Sequence, residues 1–143
     1  LYEAMATLNR DASRAALAAG ARCATDVTGF GLLGHARHVA AASGVRIVIE
    51  LGRVPLLPGV REALVAGYTT GGAKRNARWL ADDTDWNDVG DDARALLTDP
   101  QTSGGLLVAL TPARADVFLA AMPSAVVVGR VESWTDGPRL RVE

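Results

Sequence analysis

Cysteine and lysine each occur only once in this sequence of 143 residues. The single Cys23 excludes an internal disulfide framework and any zinc or iron–sulfur site built from several cysteines, so a reducing, cytoplasmic setting is predicted. Long apolar runs are also missing, whereas a bilayer-spanning helix needs about 18 or more consecutive apolar residues. Net positive charge is absent, because 15 Lys and Arg residues face 16 Asp and Glu residues and leave a formal net charge of -1. The chain therefore lacks the positive field that holds nucleic acids or anionic membranes without sequence specificity.

Length and composition indicate a single compact domain over residues 1–143. Hydrophobic residues make up 49% and charged residues 22% of the chain, ordinary globular values that exclude disorder and collagen-like structure. The beginning of the chain lacks the charged and apolar segments of a signal peptide. Because the first residue is Leu1 rather than methionine, we expect one domain of a longer protein that holds only part of a site.

Hydrophobic periodicity and turn residues predict an alternation of helices and strands. Helices are predicted over residues 1–19, 32–43, 60–66, 91–97 and 111–122, the last with Thr111 as N-cap and Pro112 in its first turn. Strands are predicted over residues 45–51, 106–110, 126–131 and 140–142, with a short extended stretch at 21–25. Residues 67–78 and 99–105 are rich in turn-forming residues and are predicted to be loops. This order predicts an α/β sandwich with one sheet.

The segment most suited to chemistry is TDVTGFGLLGH, residues 25–35. It places the carboxylate of Asp26 among hydroxyl groups and glycines, directly before a predicted helix. Glycines let a ligand approach the backbone, and a helix N-terminus favours an anion. Mg²⁺ commonly takes one or two protein carboxylates and completes its shell with water and phosphate oxygens, which makes Asp26 a candidate ligand. Alternatively, Asp26 or Thr28 caps the following helix and the glycines only permit close packing.

Two further segments contain glycine. Asp99 precedes Pro100 and opens the turn DPQTSGG, which favours a purely structural role. In GGAKRN, residues 71–76, the lone Lys74 offers a point charge for a phosphate. The pattern is not that of a phosphate-binding P-loop, so a solvated loop is the favoured interpretation.

Other polar residues have ordinary structural explanations. His35 and His38 are one helical turn apart, but no third metal ligand has a suitable spacing, so hydrogen bonding is favoured. Cys23 lacks a paired base and is expected to be a small buried residue. The acidic run from Asp82 to Asp92 lacks EF-hand spacing and is expected to be a solvated loop. Three tryptophans are expected to serve packing: Trp79, Trp86 and Trp134.

Taken together, these segments resemble the selenophosphate synthetase (selenide, water dikinase) family. The resemblance rests on four stretches in order: MATLNR at residues 5–10, ATDVTGFGLLGH at 24–35, Gly71–Gly72 with Asn76, and DPQTSGGLL at 99–107. The two strings VTGFGLLGH and PQTSGG favour this family over relatives with a similar carboxylate and glycine segment.

The resemblance implies an enzyme that makes selenophosphate, AMP and orthophosphate from ATP, selenide and water, using Mg²⁺. It implies a three-layer α/β/α C-terminal domain with one mixed sheet, inside a two-domain chain that forms a homodimer. Asp26 would be a metal ligand, and Thr28, Gly29 and Gly31 would lie near the phosphates. The catalytic residues would lie in the N-terminal domain, so Cys23 would not be the nucleophile and this chain alone would be inactive.

Two other functions remain open from the sequence. One is the equivalent domain of another ATP-dependent synthetase or kinase of the same superfamily. The other is a non-catalytic phosphate-binding or protein-interaction module.

Overall fold

Residues 2–143 are described by a computed structural model of the chain. It contains seven α-helices in that range: α1 Tyr2–Ala6, α2 Arg10–Ala18, α3 Gly31–Ser43, α4 Val60–Val65, α5 Gly71–Trp79, α6 Asp91–Thr98 and α7 Pro112–Ala121. The six strands are β1 Cys23–Asp26, β2 Val45–Ile49, β3 Thr84–Asp85, β4 Leu106–Ala109, β5 Gly129–Ser133 and β6 Leu140–Val142. None of the helices in residues 2–143 has the length and apolar character that a bilayer crossing needs.

The predicted α/β class with a mixed sheet is confirmed, but the strands divide between two sheets. The larger sheet has the order β3-β6-β2-β5, in which β2 pairs parallel with β6 and antiparallel with β5. The second sheet is the antiparallel pair of β1 and β4, with Asp26 opposite Leu106. The sequence identifies strands but not their partners, because pairing depends on residues far apart along the chain.

Helix α3 contacts strands of both sheets, while α2 and α7 pack together on the side of β4. The main core lies between α3 and the mixed sheet and includes Leu33, Ile49, Leu97 and Leu140, all at most 1% exposed. A smaller core joins α2 and α7 through Ala16 and Phe118. Strand β1 contacts β4 and α3.

The first predicted helix is interrupted. The part at Leu1 lies outside the described residues; α1 ends at Ala6, and α2 begins at Arg10. Between them, the side-chain nitrogen of Asn9 donates to the carbonyl of Gly104 at 3.0 Å. This bond ties the interruption to the distant turn at residues 99–105.

The predicted loop over residues 67–78 was wrong, because α5 occupies Gly71–Trp79. Thr70 is its N-cap, and its hydroxyl accepts a hydrogen bond from the Ala73 N–H at 3.0 Å. The two glycines occupy the first turn, where the capping threonine offsets their low helix propensity.

The predicted strand at residues 126–131 is displaced, since β5 spans Gly129–Ser133. Its start is set by its partner: β2 ends at Ile49, which pairs with Gly129. The helices predicted at 32–43 and 111–122 are confirmed. Gly44 ends α3 with φ 65°, and Thr111 occupies the N-cap position of α7 without a side-chain cap bond.

Candidate functional site

Asp26 ends β1 and is exposed to solvent. Among residues 2–143, no ion pair or side-chain hydrogen bond engages its carboxylate. Asp26 lines an open groove of about 570 Å³ between α2 and β1, together with Asn9, Arg10 and Arg22. Asp26 is therefore neither a helix cap nor part of a buried ion pair, and its oxygens are available to a ligand.

The loop after Asp26 is held by the turn at residues 99–105. The N–H of Val27 donates to the carbonyl of Gly105 at 3.0 Å, and the N–H of Gln101 donates to the carbonyl of Thr28 at 3.0 Å. A Cβ at Gly104 would lie 2.1 Å from the carbonyl oxygen of Val27. The close backbone approach explains why the turn needs glycine there.

Gly31 begins α3 with φ 68°, a conformation that L side chains rarely adopt. A Cβ on it would lie 2.6 Å from the carbonyl carbon of Thr98. The Gly31 N–H donates to the carbonyl of Thr28 at 3.0 Å. Gly29, in contrast, is exposed and has no neighbour within 4 Å of the position that a Cβ would occupy.

His35 lies on α3 beneath this loop and is 8% exposed. Its Nε2 accepts a hydrogen bond from the N–H of Thr28 at 2.9 Å, so the predicted hydrogen-bonding role is confirmed. Burial is the main cause that lowers the pKa of His35, opposed by the nearby carboxylate of Asp26 and assisted by His38. His38 is exposed and packs against the rings of Phe30 and Trp79.

Asn76 and Thr70 connect α5 to the same region. Asn76 is buried and donates to the carbonyls of Gly29 and Thr98. The Thr70 hydroxyl donates to a carboxylate oxygen of Asp99 at 2.8 Å. No local pattern in the sequence predicts the contacts of Asn76. Thr70, in contrast, directly precedes α5, and threonine is a preferred N-cap residue.

Neither Lys74 nor Asp83 lines the groove at Asp26, whereas Cys23 does. Lys74 is exposed on α5. Cys23 was expected to be buried but is half-buried in β1 and lines the groove, because alternate residues of this strand face inward and outward. In the acidic run, Asp83 pairs with Arg37 at 2.8 Å, so this carboxylate serves an ion pair.

The three tryptophans serve packing in different degrees. Trp86 is 9% exposed within the main core. Trp79 is 42% exposed and packs against the tilted ring of Phe30, while Trp134 lies under the guanidinium of Arg139 at 3.7 Å.

The carboxylate of Asp26 could hold a hard divalent cation only together with ligands from elsewhere. Within residues 2–143, no group of three or more His, Cys, Asp or Glu side chains forms a metal cluster. A single free carboxylate fits Mg²⁺, which takes few protein ligands and keeps water or phosphate oxygens. It does not fit structural zinc, which needs four protein ligands.

The chain is similar in sequence to known proteins. The chain matches the family described as "AIR synthase related protein, C-terminal domain" over residues 2–141. It is 49% identical over 122 residues to a selenide, water dikinase of Bordetella bronchiseptica, covering 82% of this chain and 33% of that protein. It is 38% identical over 135 residues to a selenide, water dikinase of Caldanaerobacter subterraneus subsp. tengcongensis, covering 91% and 39%. The chain spans about a third of the length of the curated relatives it matches.

Proposed function

Because this chain belongs to the AIR synthase related protein, C-terminal domain family, we propose that it serves an enzyme that makes selenophosphate. The substrates would be ATP, selenide and water, and the other products AMP and orthophosphate. The resemblance to selenophosphate synthetase that the motifs indicated is confirmed by relatives named selenide, water dikinase.

The observation that carries the proposal is the free carboxylate of Asp26 at the end of β1, beside a loop that the turn at residues 99–105 and Asn76 of α5 hold in place. In phosphoryl transfer the protein mainly positions the reactants and neutralises the charge on the phosphate oxygens. Hydrogen bonds hold the loop in position, and the exposed carboxylate at its start can hold a cation that would neutralise phosphate charge. We assign Asp26 as a ligand of Mg²⁺.

The metal would supply positive charge to the phosphate oxygens of ATP. One carboxylate alone holds this ion weakly, because Mg²⁺ dehydrates reluctantly. The remaining protein ligands, the catalytic residues and the nucleophilic cysteine or selenocysteine would belong to an N-terminal domain, with the whole enzyme a homodimer in the cytoplasm. Residues 1–143 would be the C-terminal domain, inactive by itself.

The loop before α3 would contact the phosphates. The N–H of Thr28 is engaged by His35 at 2.9 Å, and that of Gly31 by the carbonyl of Thr28 at 3.0 Å. Gly29 has open space around it, so its backbone is the surface that a phosphate can approach. The N-terminus of α3 adds a favourable dipole. Gly31 would contribute through the shape of the turn.

The direct test uses the full-length protein that contains this chain and follows selenide-dependent formation of AMP. Asp26→Asn removes the charge at constant size, and we expect the rate to fall about 100-fold or more. Asp11→Asn, an exposed carboxylate on α2, is the matched control and should retain the rate. Equal rates for Asp26→Asn and Asp11→Asn would show that Asp26 is not a metal ligand.

Assays of the full-length protein also distinguish the proposed activity from that of another member of the superfamily. ATP turnover that requires a substrate other than selenide would indicate another member of the superfamily. For the 143-residue chain alone, titration calorimetry should detect no Mg-ATP binding in the micromolar range. Micromolar binding would contradict a site shared with a second domain.

A further inference from the structure

Two arginines line the same groove as Asp26. Arg10 is the first residue of α2, and Arg22 directly precedes β1 across the groove. Both residues are exposed. Among residues 2–143, neither guanidinium has an ion pair or a side-chain hydrogen bond. Asp26 is the one acidic residue of that range that lines the groove, so the positive charges of both arginines are available to a ligand.

The extended chain at β1 separates the positive from the negative charge. Arg22, Ala24 and Asp26 are exposed. Cys23 and Thr25, which lie between them, are half-buried, as expected for the alternation of an extended chain. At about 3.3 Å per residue, the Cα atoms of Arg22 and Asp26 are up to about 13 Å apart. Ala24 carries only a methyl group between them, so there is space for a ligand between the two charges.

The first turn of α2 also favours an anion in this groove. Asn9 is the N-cap residue but makes no side-chain cap bond, because its amide donates to the carbonyl of Gly104 at 3.0 Å. The N–H groups at the start of α2 therefore lack a capping oxygen, and this end of the helix dipole is positive. Arg10 and Ser13 of this turn line the groove, whereas Asp11 does not.

We propose that Arg10 and Arg22 bind a phosphate group in this groove, beside the cation held by Asp26. A guanidinium presents its donors in one plane and can pair with two phosphate oxygens at once. A tetrahedral phosphate has enough oxygens for both arginines and for a cation. The phosphate would lie apart from Gly29, which does not line the groove. The cation rests on the proposed function; the arginine site does not.

The arginines are tested by binding of inorganic phosphate to the full-length protein with Mg²⁺ present, followed by ³¹P NMR line widths. Arg10→Gln and Arg22→Gln remove the charge and should each weaken phosphate binding about tenfold, the effect of one lost charge-assisted hydrogen bond. Arg14→Gln is the matched control, since Arg14 is an exposed residue of α2 that does not line the groove. Equal phosphate affinity in all three variants would overturn the proposal.

Binding of Mg-ATP distinguishes two sources of the phosphate group. Weaker binding of both inorganic phosphate and Mg-ATP in Arg10→Gln and Arg22→Gln would place a phosphate of ATP between the arginines. Weaker binding of inorganic phosphate alone would place free phosphate there. If the original protein bound no inorganic phosphate and both variants kept its affinity for Mg-ATP, the proposal would be wrong.

Asp26→Asn distinguishes failure of the proposed metal site from failure of the arginine site. With Mg²⁺ present, this change should weaken phosphate binding, because the cation beside the phosphate is lost. Without Mg²⁺ it should strengthen phosphate binding, because a negative charge beside the anion is removed. Stronger binding under both conditions would contradict the metal assignment of Asp26. The arginine site would still be supported if Arg10→Gln and Arg22→Gln weakened phosphate binding.

Discussion

The side-chain nitrogen of Asn76 donates to two carbonyl oxygens, that of Gly29 at 3.0 Å and that of Thr98 at 2.9 Å. These partners are 47 and 22 residues away in the sequence, so one amide joins α5, α6 and the loop before α3. Asn76 is 9% exposed, and Thr98, which provides one of its two acceptors, is fully buried. The position of Gly29, and with it the loop that follows Asp26, therefore depends on Asn76.

Asn76→Ala should lower the free energy of unfolding by about 2–3 kcal/mol, because the buried carbonyl of Thr98 and the partly buried carbonyl of Gly29 lose their donor. Asn76→Asp should cost more, since it places a carboxylate oxygen against those carbonyls. Lys74→Ala, an exposed change on the same helix, should stay within about 0.5 kcal/mol of the original protein. Urea denaturation measures all three variants. A cost for Asn76→Ala no larger than for Lys74→Ala would show that the two bonds contribute little.

Adjacent glycines in the first turn of α5 should respond in opposite directions to alanine. A Cβ at Gly72 would lie 2.4 Å from Cγ of Pro100, in the turn that holds the Thr28 loop. Gly72→Ala should therefore destabilise the protein by about 1–3 kcal/mol. At Gly71 the new Cβ meets only the end of the Arg75 side chain at 3.7 Å, and Gly71→Ala should stabilise it by up to about 1 kcal/mol. Thermal unfolding measures the change in stability of both variants. Destabilisation of equal size in both would contradict the steric explanation.

The sequence predicted those parts of the fold whose signals are local. Helix α3 has an apolar face and ends at Gly44, whose φ of 65° is the conformation that its glycine cap favours. The segment around Asp26 was recognised from a carboxylate among glycines, and the structure places that carboxylate in the open. Each prediction needed only the residues of one continuous segment.

The contacts that shape the site were beyond local patterns. Asn9 donates a hydrogen bond to Gly104, which is 95 residues away. No sequence pattern near either residue predicts this contact. Helix α5 was missed because its glycines resemble a loop, while the capping bond from Ala73 to Thr70 outweighs that low propensity. Division of the strands into two sheets likewise depends on partners from opposite ends of the chain.

The close approach of the DPQTSGG turn to the Asp26 loop should make Gly104 far more sensitive to alanine than its neighbour. A Cβ at Gly104 would overlap the carbonyl oxygen of Val27 at 2.1 Å, whereas Gly105 has no neighbour within 4 Å. Backbone must move in Gly104→Ala, so we expect a loss of about 1–3 kcal/mol of stability and a lower rate of selenide-dependent AMP formation in the full-length enzyme. Gly105→Ala should change the stability by less than about 0.5 kcal/mol. Normal activity and stability in Gly104→Ala would indicate that the turn and loop are not rigidly coupled.

Stability should fall on acidification because of His35. Burial lowers the pKa of His35 below its usual value of 6.5, although the carboxylate of Asp26 opposes the effect and His38 adds to it. The unfolded chain therefore takes up a proton near pH 6.5, while the folded chain does so only at lower pH. Unfolding binds protons in that interval, so the free energy of unfolding decreases as the pH falls below about 6.5, by at most about 1.4 kcal/mol per pH unit from this group.

Urea denaturation between pH 5 and 7.5, in buffer with a chelator, measures that dependence. His35→Gln keeps an acceptor for the Thr28 N–H but does not titrate, so its stability should be flatter over this range. His38→Gln, a change at an exposed position on the same helix, should retain the slope of the original protein. If the slope persisted in His35→Gln and disappeared in His38→Gln, the exposed ring would be the group that couples protonation to folding, and His35 would not be held neutral by its burial beneath the loop.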